Sequence, residues 1–586
     1  MVEWDLTQLT SQDTIESDLK NMPAEAEKFR QKYQGKITSL DAEGLKKFIE
    51  DRDAFYLKSE GPVMYAGLAY YANSLDSEAQ RLSDIANRAG TEASQKLAFS
   101  AIELGMLLEK NPALIEDPAL SEYKHFLQLV LQSAPHRLSE EEEKLVMSKD
   151  LNGVEAWSRL QSDWLSTRTF DLKVGDEVKT MPYGEIISYY QDPDRNVRKS
   201  ANSVVYTKLG NDDIVWSSAL RSICDDHIRM CSLRKYSDPM EPSLNDNDVD
   251  RETIDALMNA VDEGKSFYRK YLKTKAKILG LSKLGNWDLM APLPDSGNIK
   301  YSWEDSKKEV FEAYSSFDKE FGEYIEDMFN RSHIDGDVRV GKTSGAFCSF
   351  WYGGKSAYVL QSFNGQLSDV YTQAHELGHA VHAYLGQRAQ KPLNFNPGSC
   401  IAECGSIFGE LLLTKSLLEK AKSPEEKRSV LCVVLDEFGM AAFQVTARFL
   451  FEKSLYDAIL SGKFLDGSAI SDLWVKARDS IYGDSVEWLP EMKWEWTMKM
   501  HYYIPNYRYY NYPYVFAQLF VFALYRLYVE EGEAFIPKLK KLLSAGSSQS
   551  PYDLAKDLGF DIKSAEFWKK GIEQAEFFLS ELEKTI

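Results

Sequence analysis

Three of the chain's eight histidines fall in one short stretch, SDVYTQAHELGHAVHAYL, at 368–385. His375 and His379 are four apart with Glu376 directly after the first, an HExxH pattern. On a helix, residues i and i+4 share a face, so both imidazoles can reach one Zn2+ ion. At about 100° per residue, His379 lies roughly 40° from His375 and Glu376 roughly 100° away. Glu376 therefore flanks the pair, a position that suits a general base acting on water and not a ligand. His382 is on the same stripe, but it lies two turns from His375, about 10 Å along the axis. It reads as a packing residue or a polar support behind the ligands.

A catalytic zinc site takes three protein ligands and keeps one position open. The stretch SCIAECGSIFGELLL at 399–413 supplies two carboxylates, Glu403 and Glu410, seven residues apart and on one helical face. Their neighbours are Ile401, Ala402, Ile407, Phe408 and Leu411–Leu413, so both carboxylates should be buried and in need of partners. Glu403 is the expected third ligand. Glu410 is the expected acceptor for the Nδ1–H of a ligating imidazole.

These residues need rigid carriers. Val370, Ala374, Leu377, Val381, Tyr384 and Leu385 cluster opposite the histidines and should anchor that helix in the core. Ser368 or Asp369 can cap its start. Directly before it, GAFCSFWYGGKSAYVLQSF at 345–363 reads as two short strands around Gly353-Gly354. The edge of that pair, with Gly345, Ala346 and Phe347, could bind an extended peptide by strand addition. The rest is mainly α: residues 1–230 carry apolar residues at three- and four-residue steps, with a small hairpin expected in 165–182 around Gly175-Asp176. Segments 234–250 and 281–297 read as irregular, and helix resumes from 402 apart from an aromatic loop near 494–514.

Together, HELGHAVH and AECGSIFGE resemble the M3 family of zinc metallopeptidases. LGNWDLMAPLP, ending at 294, is similar to a segment of its oligoendopeptidase F branch. The resemblance is strong over roughly 200–586, which it marks as the catalytic domain (201–586); residues 1–200 match only as a helical N-terminal region. It implies a helical two-lobed zincin-type fold, a deep channel between the lobes with one zinc ion at its floor, and short oligopeptides as substrates. It also implies a role for HYYIPNYRYYNYPYVFAQLF, where a His and tyrosines of the family donate to the oxyanion. His501 matches that His; Tyr514, Tyr507 and Tyr510 are the candidate phenols, and Tyr512 reads as packing.

Composition narrows the partners. A formal charge of −21 disfavours nucleic acid and anionic membranes. The start carries no basic, apolar leader pattern. The apolar run at 515–529 is interrupted by Gln518 and Arg526 and is too short to span a bilayer, so it reads as a buried helix. The six cysteines form no CxxC pair, which fits reduced thiols and a cytoplasmic protein; Cys348 and Cys404 read as packing residues. The reading is a zinc endopeptidase of oligopeptides. A zinc exopeptidase (a dipeptidase or carboxypeptidase) on a similar scaffold is the alternative, and a non-catalytic peptide binder would need neither Glu376 nor His501.

Overall fold

The computed structural model describes residues 2–293 and 300–586. The end of the irregular 281–297 stretch lies outside the described residues. The fold is mainly α, and the helices begin where local chemistry starts them. Asp41, Asp76, Asp250 and Ser302 each accept a backbone N–H of the first turn that follows, which satisfies donors that a helix start leaves unpaired.

The chain divides into two compact units, each assembled from three separate stretches. The first comprises Met1–Pro135, Ile299–Lys420 and Leu524–Asp561. Its N-terminal helices, including Ile15–Tyr33, Ala42–Ala72, Ser77–Leu97 and Phe99–Lys110, close on a core that contains Ala26, Leu45, Phe48, Ile49 and Leu108. The same unit holds a three-stranded sheet. Ser356–Leu360 is its fully buried centre, parallel to Ile334–Asp335 and antiparallel to Phe347–Trp351. Phe347 pairs with Leu360 and Trp351 with Ser356, so Phe347–Trp351 is an edge strand. The turn falls where the two glycines suggested. A Cβ on Gly354 would meet the Trp351 ring at 2.2 Å, and the positive φ belongs to Lys355 instead, at 48°.

The second unit comprises His136–Asn298, Ala421–Ala523 and Ile562–Ile586. Its hairpin pairs Thr169–Val174 with Glu177–Pro182, and Gly175 takes φ 62° at the turn. Two stretches read as irregular hold short regular pieces: a helix at Glu241–Asp246, and Leu284–Gly285 paired in parallel with Val486–Glu487. The aromatic segment near 494–514 starts as tight helical turns, Pro490–Met498 and Met500–Tyr502. Val515, Phe516, Leu519, Phe520 and Val521 are fully buried, so the apolar run is a core helix. Among the described residues one helical run, Pro424–Leu460, is apolar enough to cross a membrane, and 67% of its apolar window is packed inside the protein.

Candidate active site

The histidine helix spans Leu367–Ala389. Asp369 secures its start from the third position: its carboxylate accepts from the backbone N–H of Asn364 at 2.7 Å and of Gln366 at 3.0 Å. The opposite face, Val370, Ala374, Leu377, Val381, Tyr384 and Leu385, is buried throughout. The carboxylate helix, Cys404–Lys420, crosses it at very close range. A Cβ on Gly378 would lie 2.3 Å from the Gly405 carbonyl oxygen, and one on Gly405 would lie 2.4 Å from the Gly378 carbonyl oxygen. Glycine at both positions lets the backbones touch, which brings Glu403 and Glu410 within reach of the imidazoles.

The result is a compact triangle. Glu403 Oε2 lies 3.4 Å from His375 Nε2 and 3.3 Å from His379 Nε2. All three candidate ligand atoms lie within 4.8 Å of one another. Charge-assisted hydrogen bonds are shorter, about 2.7–2.9 Å. A tetrahedral ion with bonds of about 2.0–2.1 Å would set ligand atoms about 3.3–3.4 Å apart. The donor set is also correctly prepared. His375 Nδ1 faces Glu410 Oε1 in a close hydrogen bond. An ionised carboxylate only accepts, so Nδ1 carries the proton and the lone pair of Nε2 faces the triangle. Ser406 Oγ donates to Glu403 Oε2 at 2.6 Å and orients the third ligand. The residues therefore fit a zinc-type ion held by His375, His379 and Glu403.

Electrostatics point the same way. Burial alone would lower the His375 imidazole, but the Glu410 hydrogen bond, with Glu410, Glu403 and Glu376 charges, raises it to about 9. Burial would raise Glu403; the neighbouring His379 and His375, together with Ser406, bring it down to about 2. The cluster thus stabilises positive charge at its centre. Glu376 is 6% exposed, and burial raises its carboxyl, against the pull of His375 and His379. A raised carboxyl is a better base near neutral pH. Glu403 is more open than its apolar neighbours suggested, with a side chain 36% exposed, as suits a ligand beside an open coordination position.

His382 is fully buried, and burial pulls its imidazole down to about 3, so it is neutral. A Cβ on Gly405 would come within 3.0 Å of the His382 Cβ. His382 packs under the helix crossing and is not in the triangle. Cys404 and Cys348 are free thiols whose acidity burial suppresses. Cys348, on the edge strand, also feels the Glu376 charge. Alternation sends Phe347 to the other face, against Tyr71 and Trp4 at centroid distances of 5.3 and 6.3 Å. Gly345 is exposed with φ 94°, and Ala346 is half-buried. Any grip that 345–347 has on a peptide is therefore through backbone.

His501 lies in the second unit, at the centre of a ring cluster. It stacks on Tyr510 at 5.9 Å and meets Tyr514 edge-on at 6.2 Å, and Tyr507 stacks on Tyr510 at 4.0 Å. Tyr507 and Tyr514 are 38% and 42% exposed. Tyr512 is buried, and its hydroxyl donates to the Ser243 carbonyl at 2.9 Å, which makes it a packing residue as expected. Burial, then Arg448, Lys499 and Arg508, lowers the His501 imidazole.

A model of peptidase family M3 matches residues 188–574, and an oligopeptidase F model matches 109–170. The chain belongs to peptidase family M3. It is 25% identical to an oligoendopeptidase F of Lactococcus lactis subsp. cremoris, over 100% of this chain and 97% of that protein. It is 25% identical to oligopeptidase PepF of Bacillus subtilis, over 95% and 83%. Among crystal structures, a Chlamydophila abortus chain matches with a TM-score of 0.89 at 21% identity, covering 100% of this chain and 98% of that one. Oligoendopeptidase F from Enterococcus faecium matches at 0.71 and 23%, covering 97% and 98%.

As an M3 member the chain is a metallopeptidase with a mainly α fold. Several residues that shape one or other of these two clusters carry no chemistry-bearing motif of their own. Tyr314 donates its hydroxyl to the Ala374 carbonyl at 2.6 Å, and Gly409 leaves it room. Arg508 binds the carbonyls of His501 and Tyr502 at 2.7 and 2.8 Å. Glu452 accepts from the Tyr509 N–H at 2.8 Å, where φ is 55°. The one available signal was the glycine spacing: Gly405 and Gly409 sit i, i+4 on the carboxylate helix, Gly405 opposite Gly378 of the HELGH motif and Gly409 opposite Tyr314 and the Ala374 carbonyl.

Proposed function

We propose that the chain is a zinc-dependent endopeptidase that cuts internal bonds of short oligopeptides. The observation that carries it is the His375–His379–Glu403 triangle, with Glu376 buried beside it. Relatives named oligoendopeptidase F and oligopeptidase PepF support the substrate class. Zinc bound there supplies a Lewis acid that polarises the scissile carbonyl and makes water more acidic.

The chain's own groups do the rest. Glu410 fixes the His375 ring and keeps its proton on Nδ1. The Glu376 carboxylate takes the proton of the attacking water and passes it to the leaving amine. His501, with Tyr507, Tyr510 and Tyr514, donates to the carbonyl oxygen as it gains charge. The backbone edge at Gly345, Ala346 and Phe347 holds the peptide in extended form, which tolerates many side chains. Six free cysteines suit a cytoplasmic setting.

An end-blocked peptide tests the reading, because an exopeptidase needs a free terminus. The wild type with zinc should cut it internally. Glu376→Gln should keep one zinc per chain by elemental analysis and lose about 10²–10⁴-fold in kcat. Cleavage retained in that variant would sink the mechanism.

A further inference from the structure

The edge strand Phe347–Trp351 has a helix running beside it. Helix Ala42–Ala72 puts Leu68 into one core cluster with Trp351, Tyr358 and Leu360, and its Met64, Tyr65 and Ala72 pack against that cluster together with Phe347. The helix therefore covers the sheet face that Phe347 and Trp351 share. It is tied to the strand at both ends. At one end the Glu60 carboxylate accepts from the backbone N–H groups of Tyr352 and Gly353, at 2.7 and 2.8 Å. At the other the Tyr71 carbonyl accepts from the Thr343 N–H at 2.9 Å, and the Tyr71 ring lies 5.3 Å from the Phe347 ring. Residues 60–71 of a helix and 347–352 of a strand each cover about 16–17 Å. Helix and edge strand thus run side by side in opposite directions, inside the unit that also holds His375, His379 and Glu403.

Between the two ties the outward side of this helix is uncharged. Val63, Gly67 and Tyr70 recur at i, i+4 and i+7 and share one stripe, with Tyr71 on its strand side. Val63, Tyr70 and Tyr71 are exposed, and a Cβ on Gly67 would meet nothing within 4 Å. Glu60 is the one charged residue from 60 to 71, and its carboxylate is engaged by the two N–H groups. A helix side turned to water is ordinarily polar, and an exposed apolar one marks a contact surface. What it contacts follows from the strand beside it. A peptide added to the free edge of Phe347–Trp351 would lie about 4.8 Å from that strand, with side chains alternating between the two faces. Every second one points to the helix-covered face and meets the stripe. The others point to the face of Cys348, where the histidine helix lies.

We propose that Val63, Gly67, Tyr70 and Tyr71 wall a subsite for alternate side chains of the bound peptide, and that it selects large apolar or aromatic ones. The proposal rests on the peptidase reading and deepens it: the strand edge holds any backbone, and the helix stripe chooses among side chains. Gly67 leaves the space that such a side chain enters.

End-blocked peptides of one sequence test it with the zinc-loaded full chain. Phe, Ala or Lys is placed at each position near the cut in turn, and product masses confirm the bond. The wild type should favour Phe over Ala about tenfold in kcat/KM, the size expected of partly burying an aromatic side chain, at one position or at positions two apart. Gly67→Trp fills the space and should bring that ratio towards one. Residues other than Gly and Pro favour a helix at this place, so the fold is kept. Gly67→Glu should turn the preference at the same position from Phe to Lys by about threefold, a gain that misfolding cannot produce. Equal rates for Phe and Ala at every position in the wild type overturn the proposal and leave the peptidase reading intact. A Phe preference that both Gly67 variants keep also overturns it; if Gly67→Glu then dissociates a wild-type dimer in sedimentation, the stripe is a contact between copies. Cleavage of none of the peptides overturns the peptidase reading itself, and the proposal with it.

Discussion

His375 and His379 sit on one helix and Glu403 directly precedes a second, and the two helix backbones touch at Gly378 and Gly405. His501, Tyr507 and Tyr510 sit on tight turns and irregular chain held by two buried charged residues, Arg508 and Glu452, and Tyr514 lies in the first turn of the helix Tyr512–Glu531. In the first region the backbone path itself sets where the candidate ligands fall. In the second, side chains hold the loop by its carbonyls and N–H groups, and ring contacts set the orientation of the imidazole and phenols proposed as donors. A metal triangle tolerates little play, because three ligand atoms must share one ion. Donors to a developing charge tolerate more, since several phenols and one imidazole lie together. Damage to the first region should therefore appear as lost metal. Damage to the second should appear as slower turnover at full metal content.

The harshest way to break that contrast is Gly378→Ala. Its Cβ would meet the Gly405 carbonyl oxygen at 2.3 Å and the Ser406 Cα at 2.6 Å, both backbone. The helices must separate, which costs about 1–3 kcal/mol as overpacking, and the triangle opens with them. The expected result is a lower Tm and zinc affinity reduced by more than about 100-fold, measured by chelator competition. Unchanged zinc affinity would show that the crossing does not set the triangle. Glu410→Gln is a milder version in the same region. The ligands remain, but His375 loses the carboxylate that holds its ring and raises its basicity. Zinc affinity should fall about 10–100-fold with Tm of the metal-free protein nearly constant. Metal binding also needs neutral imidazoles, so affinity in both proteins should weaken as pH falls.

The contrast also explains what could be read in advance. The histidine helix was legible because helical period ties spacing to direction: His375, His379 and Glu376 fall where their angles put them, and all six expected core residues are buried. Glu410 was legible for the same reason, and Glu403, expected on the same helix, lies just before it, at the break between Ser399–Ala402 and Cys404–Lys420. The touching backbones were not, because a close approach belongs to two distant segments and leaves only glycines as a trace. The interleaving of the two units, three stretches each, leaves no local pattern at all. Before Tyr512 the His501 region has no period, so the order of candidates, Tyr514 and Tyr507 ahead of Tyr510, came from the family resemblance and not from spacing. There, burial and partners separate Tyr512 from its neighbours.

That separation gives the finest test. Tyr512 and Tyr514 are two residues apart with opposite surroundings. The Tyr512 hydroxyl donates to the Ser243 carbonyl and accepts from Asn247 Nδ2 at 3.2 Å, entirely inside the core. Tyr512→Phe leaves those groups short of a partner and should cost about 1–3 kcal/mol of stability, seen as a lower Tm, with kcat per zinc close to wild type. Tyr514 is 42% exposed beside His501. Tyr514→Phe should leave Tm unmoved and lower kcat by about tenfold, since one charged-state hydrogen bond is lost while Tyr507 and Tyr510 remain. Zinc content should be full in both. If Tyr512→Phe were the slow enzyme and Tyr514→Phe the unstable one, the phenols would be assigned the wrong way round. If Tyr514→Phe lost zinc, the two regions would not be separable, and the contrast between a backbone-set triangle and a side-chain-set donor cluster would fail.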